Sequence, residues 1–157
     1  DAKEADLGTV EAIDLVGLAV EESARAGVAL ELADDTAGLL VPGVEKLLLR
    51  LVRNLLENAR RYGGAAGPGG VTVAVRRDGG EAVLTVSDRG PGVPPDQRNR
   101  IFEPFYRLPG ASEREGGVGL GLALVKSIAE RHSGSVRCEA REGGGACFIV
   151  RLPLQTP

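Results

Sequence analysis

A basic excess, a cysteine framework and long apolar runs are all missing from this chain of 157 residues. Nineteen Lys and Arg stand against 22 Asp and Glu, a net charge of -3. That leaves no broad positive field of the kind a general nucleic-acid binder needs. No stretch approaches the ~20 apolar residues of a membrane-spanning helix, and the start carries no secretory-signal pattern. Two cysteines, Cys138 and Cys147, do not make a disulfide framework. The single histidine is His132, and the lysines are only Lys3, Lys46 and Lys126. The preference for Arg over Lys carries no functional reading. With 43% hydrophobic residues, the chain has enough length for one domain with a proper core. Glycine is abundant instead: 23 residues, where average usage gives ~11. They cluster in short stretches, which predicts loops of special backbone geometry.

The hydrophobic pattern predicts an α+β domain. Asp14 reads as the N-cap of a helix over Leu15–Ala26 closed by Gly27, preceded by a frayed end or a short edge strand around Thr9–Ile13. Val28–Ala33 alternates as a strand, and Gly38–Val41 reads as a short second one stopped by Pro42-Gly43. A long helix follows from about Val44 to Tyr62. Val71–Arg77 and Ala82–Ser87 form a hairpin through Asp78-Gly79. A short helical turn after Pro94-Pro95, ending near Ile101, leads to a Gly-punctuated stretch at 108–117. A helix from about Gly119 to His132 and a last hairpin, Ser135–Arg141 with Ala146–Leu152, complete the chain. The expected architecture is a two-layer sandwich: a mixed, mostly antiparallel sheet with about three helices on one face. On the last two strands the thiols of Cys138 and Cys147 point to opposite sides and cannot bridge. Free thiols fit a reducing compartment.

Three stretches carry candidate chemistry. In the long helix, apolar residues fall at 48, 51, 52, 55, 56 and 59, the spacing of a buried face. Asn54 and Asn58 stack one turn apart beside that face. Asn is a poor helix-interior residue, and its amide oxygen is a neutral hard ligand suited to Mg²⁺ or a ligand hydroxyl; a pair of plain surface amides is the alternative. Asp88 stands at a strand end ahead of Gly90 and Gly92, which let backbone approach a flat ligand. Its carboxylate suits an exocyclic amine such as adenine N6; an ordinary Asp-Gly turn is the alternative. Gly117, Gly119 and Gly121 open the last helix, where unpaired N–H groups and the dipole suit phosphate. This is neither a Walker A loop nor a dinucleotide fingerprint.

Together the stretches run Asn54 to Asn58, Asp88-Arg89-Gly90-Pro91-Gly92, Phe102 to Arg107, Gly117 to Leu122, and Gly143 to Phe148. In order and spacing these resemble the N, G1, F, G2 and G3 boxes of the catalytic, ATP-binding domain of bacterial sensor histidine kinases, over residues ~14 to 153. The resemblance implies the GHKL fold shared with gyrase, heat-shock protein 90 and mismatch-repair ATPases, as a single catalytic domain over 1–157. It implies ATP and Mg²⁺ as ligands, with Asn58 on the metal and Asn54 supporting it. Arg61 and Arg107 would contact phosphate and act with Asn58 in transfer. Tyr62 would flank the nucleotide, Asp88 would select adenine, and Gly90, Gly92 and Val93 would shape the base pocket. Gly117, Gly119, Leu120, Gly121 and Leu122 would present backbone N–H groups to the phosphates, with 106–118 as a mobile lid.

The implied reaction is transfer of the γ-phosphate to a histidine on a separate dimerisation helix, with a response regulator downstream. The implied setting is the cytoplasmic part of a membrane-anchored parent, without direct membrane or nucleic-acid contact by this domain. His132 reads as a helix C-terminal imidazole favoured by the dipole, leaving no acceptor here. Glu57 lies about 100° round the helix from Asn58, so no evident base activates water, and transfer is favoured over hydrolysis. Two positions depart from the family pattern: Ala146, where Thr is frequent, and Val118, where Thr or Ser is frequent. Two further readings are an anti-sigma-factor serine kinase and a domain that only binds nucleotide.

Overall fold

Seven strands and three α-helices are found among the described residues, in the order β1 (Glu11–Asp14), α1 (Leu15–Ala26), β2 (Ala29–Leu32), β3 (Leu40–Gly43), α2 (Glu45–Gly63), β4 (Val71–Asp78), β5 (Glu81–Asp88), α3 (Gly121–Arg131), β6 (Ser135–Ala140) and β7 (Ala146–Pro153). The structure is a computed structural model that describes residues 8–63, 68–106 and 120–156. Short 3₁₀ turns at Pro95–Gln97 and Arg100–Phe102 shape the connection after β5.

The main sheet has strand order β2-β4-β5-β7-β6, and β1 pairs with β3 in a separate two-stranded ladder. β2 runs parallel to β4 and every other neighbouring pair is antiparallel. The three helices lie on one face, α1 toward β2 and β4, α2 over β4 and β5, and α3 over β6 and β7. The expected α+β sandwich is therefore what the chain forms.

Each helix is there for a legible reason. Asp14 caps α1 by accepting the Gly17 N–H at 3.0 Å, and Gly27 closes it in the left-handed conformation at φ 71°. α2 buries Leu48, Leu51, Val52, Leu55, Leu56 and Ala59. Each Leu or Val buried this way contributes roughly 1.5–3 kcal/mol relative to exposure. They meet Val71, Val73, Val75, Leu84, Val86, Phe148 and Val150 from the sheet in a single core. A second tie joins the helices through charge. Glu22 of α1, 4% exposed, accepts from Arg53 Nε of α2 at 2.8 Å and from Arg25 Nε at 3.2 Å. The Arg53 hydrogen bond holds the Glu22 carboxyl below its ordinary range against the opposing effect of burial, and Arg25 adds to it.

Strand β3 differs from expectation. It spans Leu40–Gly43 and runs through Pro42 instead of stopping there. Pro42 sits opposite Ala12 in a ladder of only two strands, so its missing N–H faces an edge, where proline is tolerated. The register places Cys138 opposite Phe148, on the core face, and Cys147 opposite Ser87 and Glu139, on the outer face. The thiols are free, as expected. On that outer face Val83 is fully buried, flanked in register by Arg76 and Arg151. Arg151 pairs with Asp78 at 2.8 Å and Glu81 at 3.3 Å, so the arginine stems shield an apolar side chain outside the core.

His132 ends α3 but does more than sit on a helix dipole. It is buried, with Nδ1 2.8 Å from the Ile128 carbonyl and Nε2 3.1 Å from the Val44 backbone nitrogen. An N–H can only donate into a ring nitrogen that carries no proton, so Nε2 accepts and Nδ1–H donates. The ring is a neutral bridge between the end of α3 and the start of α2.

Candidate functional site

Between α2, the loop after β5, and the first turn of α3 lies a cleft that opens to solvent. Its lining includes Asn58 and Tyr62 from α2, Asp88 from β5, and Gly92 and Val93 from the loop. Ile101 and Tyr106 line it from the segment at 100–106, and Leu122, Ala146 and Phe148 from α3 and β7.

Asp88 is the electrostatic centre of this cleft. It is 2% exposed. Its Oδ1 accepts the Gly90 N–H at 2.9 Å and the Ala146 N–H at 3.4 Å. Among the described residues no donor reaches Oδ2, and the side chain lines the cleft. One oxygen therefore fixes the carboxylate and the other offers a lone pair to whatever enters. Two close backbone approaches keep it there. A Cβ on Gly90 would lie 2.1 Å from the Tyr62 carbonyl oxygen, and one on Gly145 (φ 104°) 1.9 Å from the Asp88 carbonyl oxygen. No side chain fits either place, so glycine is obligatory at both.

The two asparagines divide their work. Asn54 donates Nδ2 to the Gly121 carbonyl at 3.4 Å, tying α2 to the first turn of α3. Asn58 lines the cleft and its amide takes no hydrogen bond among the described residues. The α3 N-terminus has no side-chain cap at Leu120, and Leu122 of its first turn lines the cleft. Arg61 stands outside the lining, paired with Glu57 at 3.5 Å, and Glu57 also accepts from Arg60 at 2.8 Å.

The structure thus gathers Asn58, Tyr62, Asp88, Gly92, Val93 and Leu122 around one cleft. Asn54, Gly90, Leu120 and Gly121 stand just behind it. Arg107, Gly117, Val118, Gly119 and most of the expected lid lie outside the described residues. Sequence reasoning gave no site role to Ile101 or to Phe148, which closes the Gly143–Phe148 stretch; both line the cleft. In sequence both are ordinary alternating or turn hydrophobes. Phe102 meets Phe148 edge-to-face at 6.2 Å between ring centroids, which fixes that wall to β7.

Residues 43–156 match the family model described as histidine kinase-, DNA gyrase B-, and HSP90-like ATPase. Among curated proteins, the sensor protein CutS of Streptomyces coelicolor is 40% identical over 159 residues, an alignment covering 98% of this chain and 36% of CutS. The chain therefore spans only about a third of that relative's length. Among solved structures, the mycobacterial sensor histidine kinase MprB superposes with a TM-score of 0.71 at 29% identity, over 95% of this chain and 100% of that one. The ATP binding domain of PrrB from Mycobacterium tuberculosis gives a TM-score of 0.70 at 26% identity, over 94% of this chain and 98% of that one.

Proposed function

The chain belongs to the histidine kinase-, DNA gyrase B- and HSP90-like ATPases, and on that premise we propose that it binds Mg-ATP in this cleft and passes the γ-phosphate to a histidine on a separate dimerisation domain of a sensor kinase. The observation that carries the reading is the divided carboxylate of Asp88. A buried acid with one oxygen consumed by backbone N–H groups and the other open to an apolar-walled cleft is built to accept from a flat ligand's amine. Adenine N6 supplies such an amine, while a keto oxygen at the same place would meet a negative charge. Tyr62, Val93, Ile101 and Tyr106 offer the apolar surfaces between which the base lies.

The residues present also fit a magnesium ion. Asn58 brings an uncommitted amide oxygen to the cleft, a neutral ligand that Mg²⁺ accepts alongside phosphate oxygens and water. When bound, the ion neutralises charge on the phosphates. The chain's own residues hold the rest of the nucleotide. The N–H groups of the first turn of α3, with the positive end of the helix dipole, favour anionic oxygens. Arg61 and Arg107 are the proposed cationic contacts, Arg61 by exchanging Glu57 for phosphate. The proposed helix-opening contacts of Gly117, Gly119, Leu120 and Gly121 complete that set. Phosphoryl transfer needs positioning and charge stabilisation more than covalent help, and these groups supply both. Glu57, held by Arg60 and Arg61, is a poor water-activating base, which favours transfer over hydrolysis.

The chain is proposed to act as one catalytic unit, with the phosphoacceptor and dimerisation helices and the response regulator as its partners. The direct test mixes this chain with labelled Mg-ATP and a helical fragment carrying the acceptor histidine. Label on the fragment is expected; nucleotide binding without any label would reduce the chain to a binding module. Ala146, which lines the cleft without a hydroxyl, and Val118 are the two positions that favour the weaker reading.

A further inference from the structure

Two arginines support the cleft without lining it. Arg98 donates Nε–H to the Val93 carbonyl at 3.0 Å, in a partly buried contact. Among the described residues no other donor reaches that oxygen. Arg100 places its guanidinium carbon 5.1 Å from the centroid of the Tyr106 ring. Val93 and Tyr106 both line the cleft, and neither arginine does. The segment that carries all four residues has little regular structure of its own: two 3₁₀ turns of three residues each. A wall and floor built on such a segment stay in place only if something ties its ends. Arg98 pins the floor five residues upstream, and Arg100 pins the wall six residues downstream.

We propose that Arg98 and Arg100 are positioning residues of the nucleotide site, holding Val93 and Tyr106 in the shape that receives the base. This inference rests on the nucleotide reading of the cleft. Pre-organising a pocket raises affinity by removing the cost of ordering it on binding. The effect falls on the base end, which ATP and ADP share.

The experiment is calorimetric titration of Mg-ATP and Mg-ADP into the wild-type chain and into Arg98→Met, Arg100→Met and Arg100→Lys, with melting of each nucleotide-free protein alongside. Arg98→Met is expected to raise Kd about tenfold, the order of one charge-assisted hydrogen bond. Arg100→Met is expected to raise it about threefold, as for an exposed cation–π pair. Arg100→Lys restores affinity, because an ammonium also sits on a ring face. The losses are the same for ATP and ADP, and the nucleotide-free melting temperatures fall by no more than a few degrees, which leaves each variant folded at the temperature of titration. Arg100 is exposed, so its two variants test the wall even if Arg98→Met folds poorly. Unchanged Kd in both Met variants, with wild type binding normally, overturns the positioning role alone. A loss confined to ATP assigns the arginines to phosphate and also overturns it, as does a fall in melting temperature that accounts for the lost affinity. A wild-type chain that binds neither nucleotide overturns the reading of the cleft and this inference together.

Discussion

At Asp88 the two oxygens of one carboxylate have different tasks, and a single-atom change separates them. Asp88→Asn keeps an oxygen able to accept from Gly90 and Ala146 while turning an N–H₂ toward the cleft. On the proposed reading, donor then meets donor at the base. The expected loss is about 3 kcal/mol, near a hundredfold in Kd, with the circular dichroism spectrum unchanged; wild-type affinity by calorimetry would remove the adenine assignment. The thiols make a second contrast. Burial pushes Cys138 up to about 11, although nearby Arg98 works in the other direction. At pH 8 it stays a protonated, inaccessible thiol, while Cys147 is half-buried on the outer sheet face. Iodoacetamide on the native chain should label Cys147 and spare Cys138, as read by peptide mass spectrometry, and label both after unfolding.

The Glu22–Arg53 tie between α1 and α2 makes stability depend on pH. The folded-state carboxyl is lowered, so the tie's contribution is complete above the ordinary Glu value of about 4.3. It is lost as pH falls through the folded value. Arg53→Met should therefore lower the urea midpoint at pH 7 and flatten its fall between pH 5 and pH 3; an unchanged slope would show that the tie contributes nothing. At the end of α3, Ser133 adopts φ 61°, a left-handed conformation that costs a residue with a Cβ about 1 kcal/mol. Ser133→Gly should raise stability by about 0.5–1 kcal/mol in the same assay.

Elements of this kind were legible because their signals are local: Asp14 before an apolar stripe, Gly27 after it, Asp78-Gly79 between two alternating runs. The order β2-β4-β5-β7-β6 was not, because pairing partners far apart in sequence leave no mark on either strand. Pro42 misled because its meaning depends on whether a strand has one neighbour or two. The same division holds in the cleft. Asn58 and Asp88 are odd residues for their places and announce themselves. Ile101 and Phe148 belong to the site only through what they face.

For the molecule as a whole, the proposed nucleotide binding, being to the folded state alone, should raise its stability. Mg-ATP at a hundred times Kd should add about 2.7 kcal/mol, a rise of roughly 5–10 °C in melting temperature for a chain of this size. Asp88→Asn should show no such rise, and a wild-type protein whose melting ignores Mg-ATP would contradict the proposed function. The sheet meets all three helices on one side, so the cleft's walls and the core share the same residues, and Phe148 serves both. His132 has a consequence for experiments on the whole molecule. Its two ring nitrogens are engaged by Ile128 and Val44, and it is the chain's one imidazole. In a reconstituted mixture the chain contributes no background of acid-labile, alkali-stable phosphate, and any such signal reports the acceptor alone.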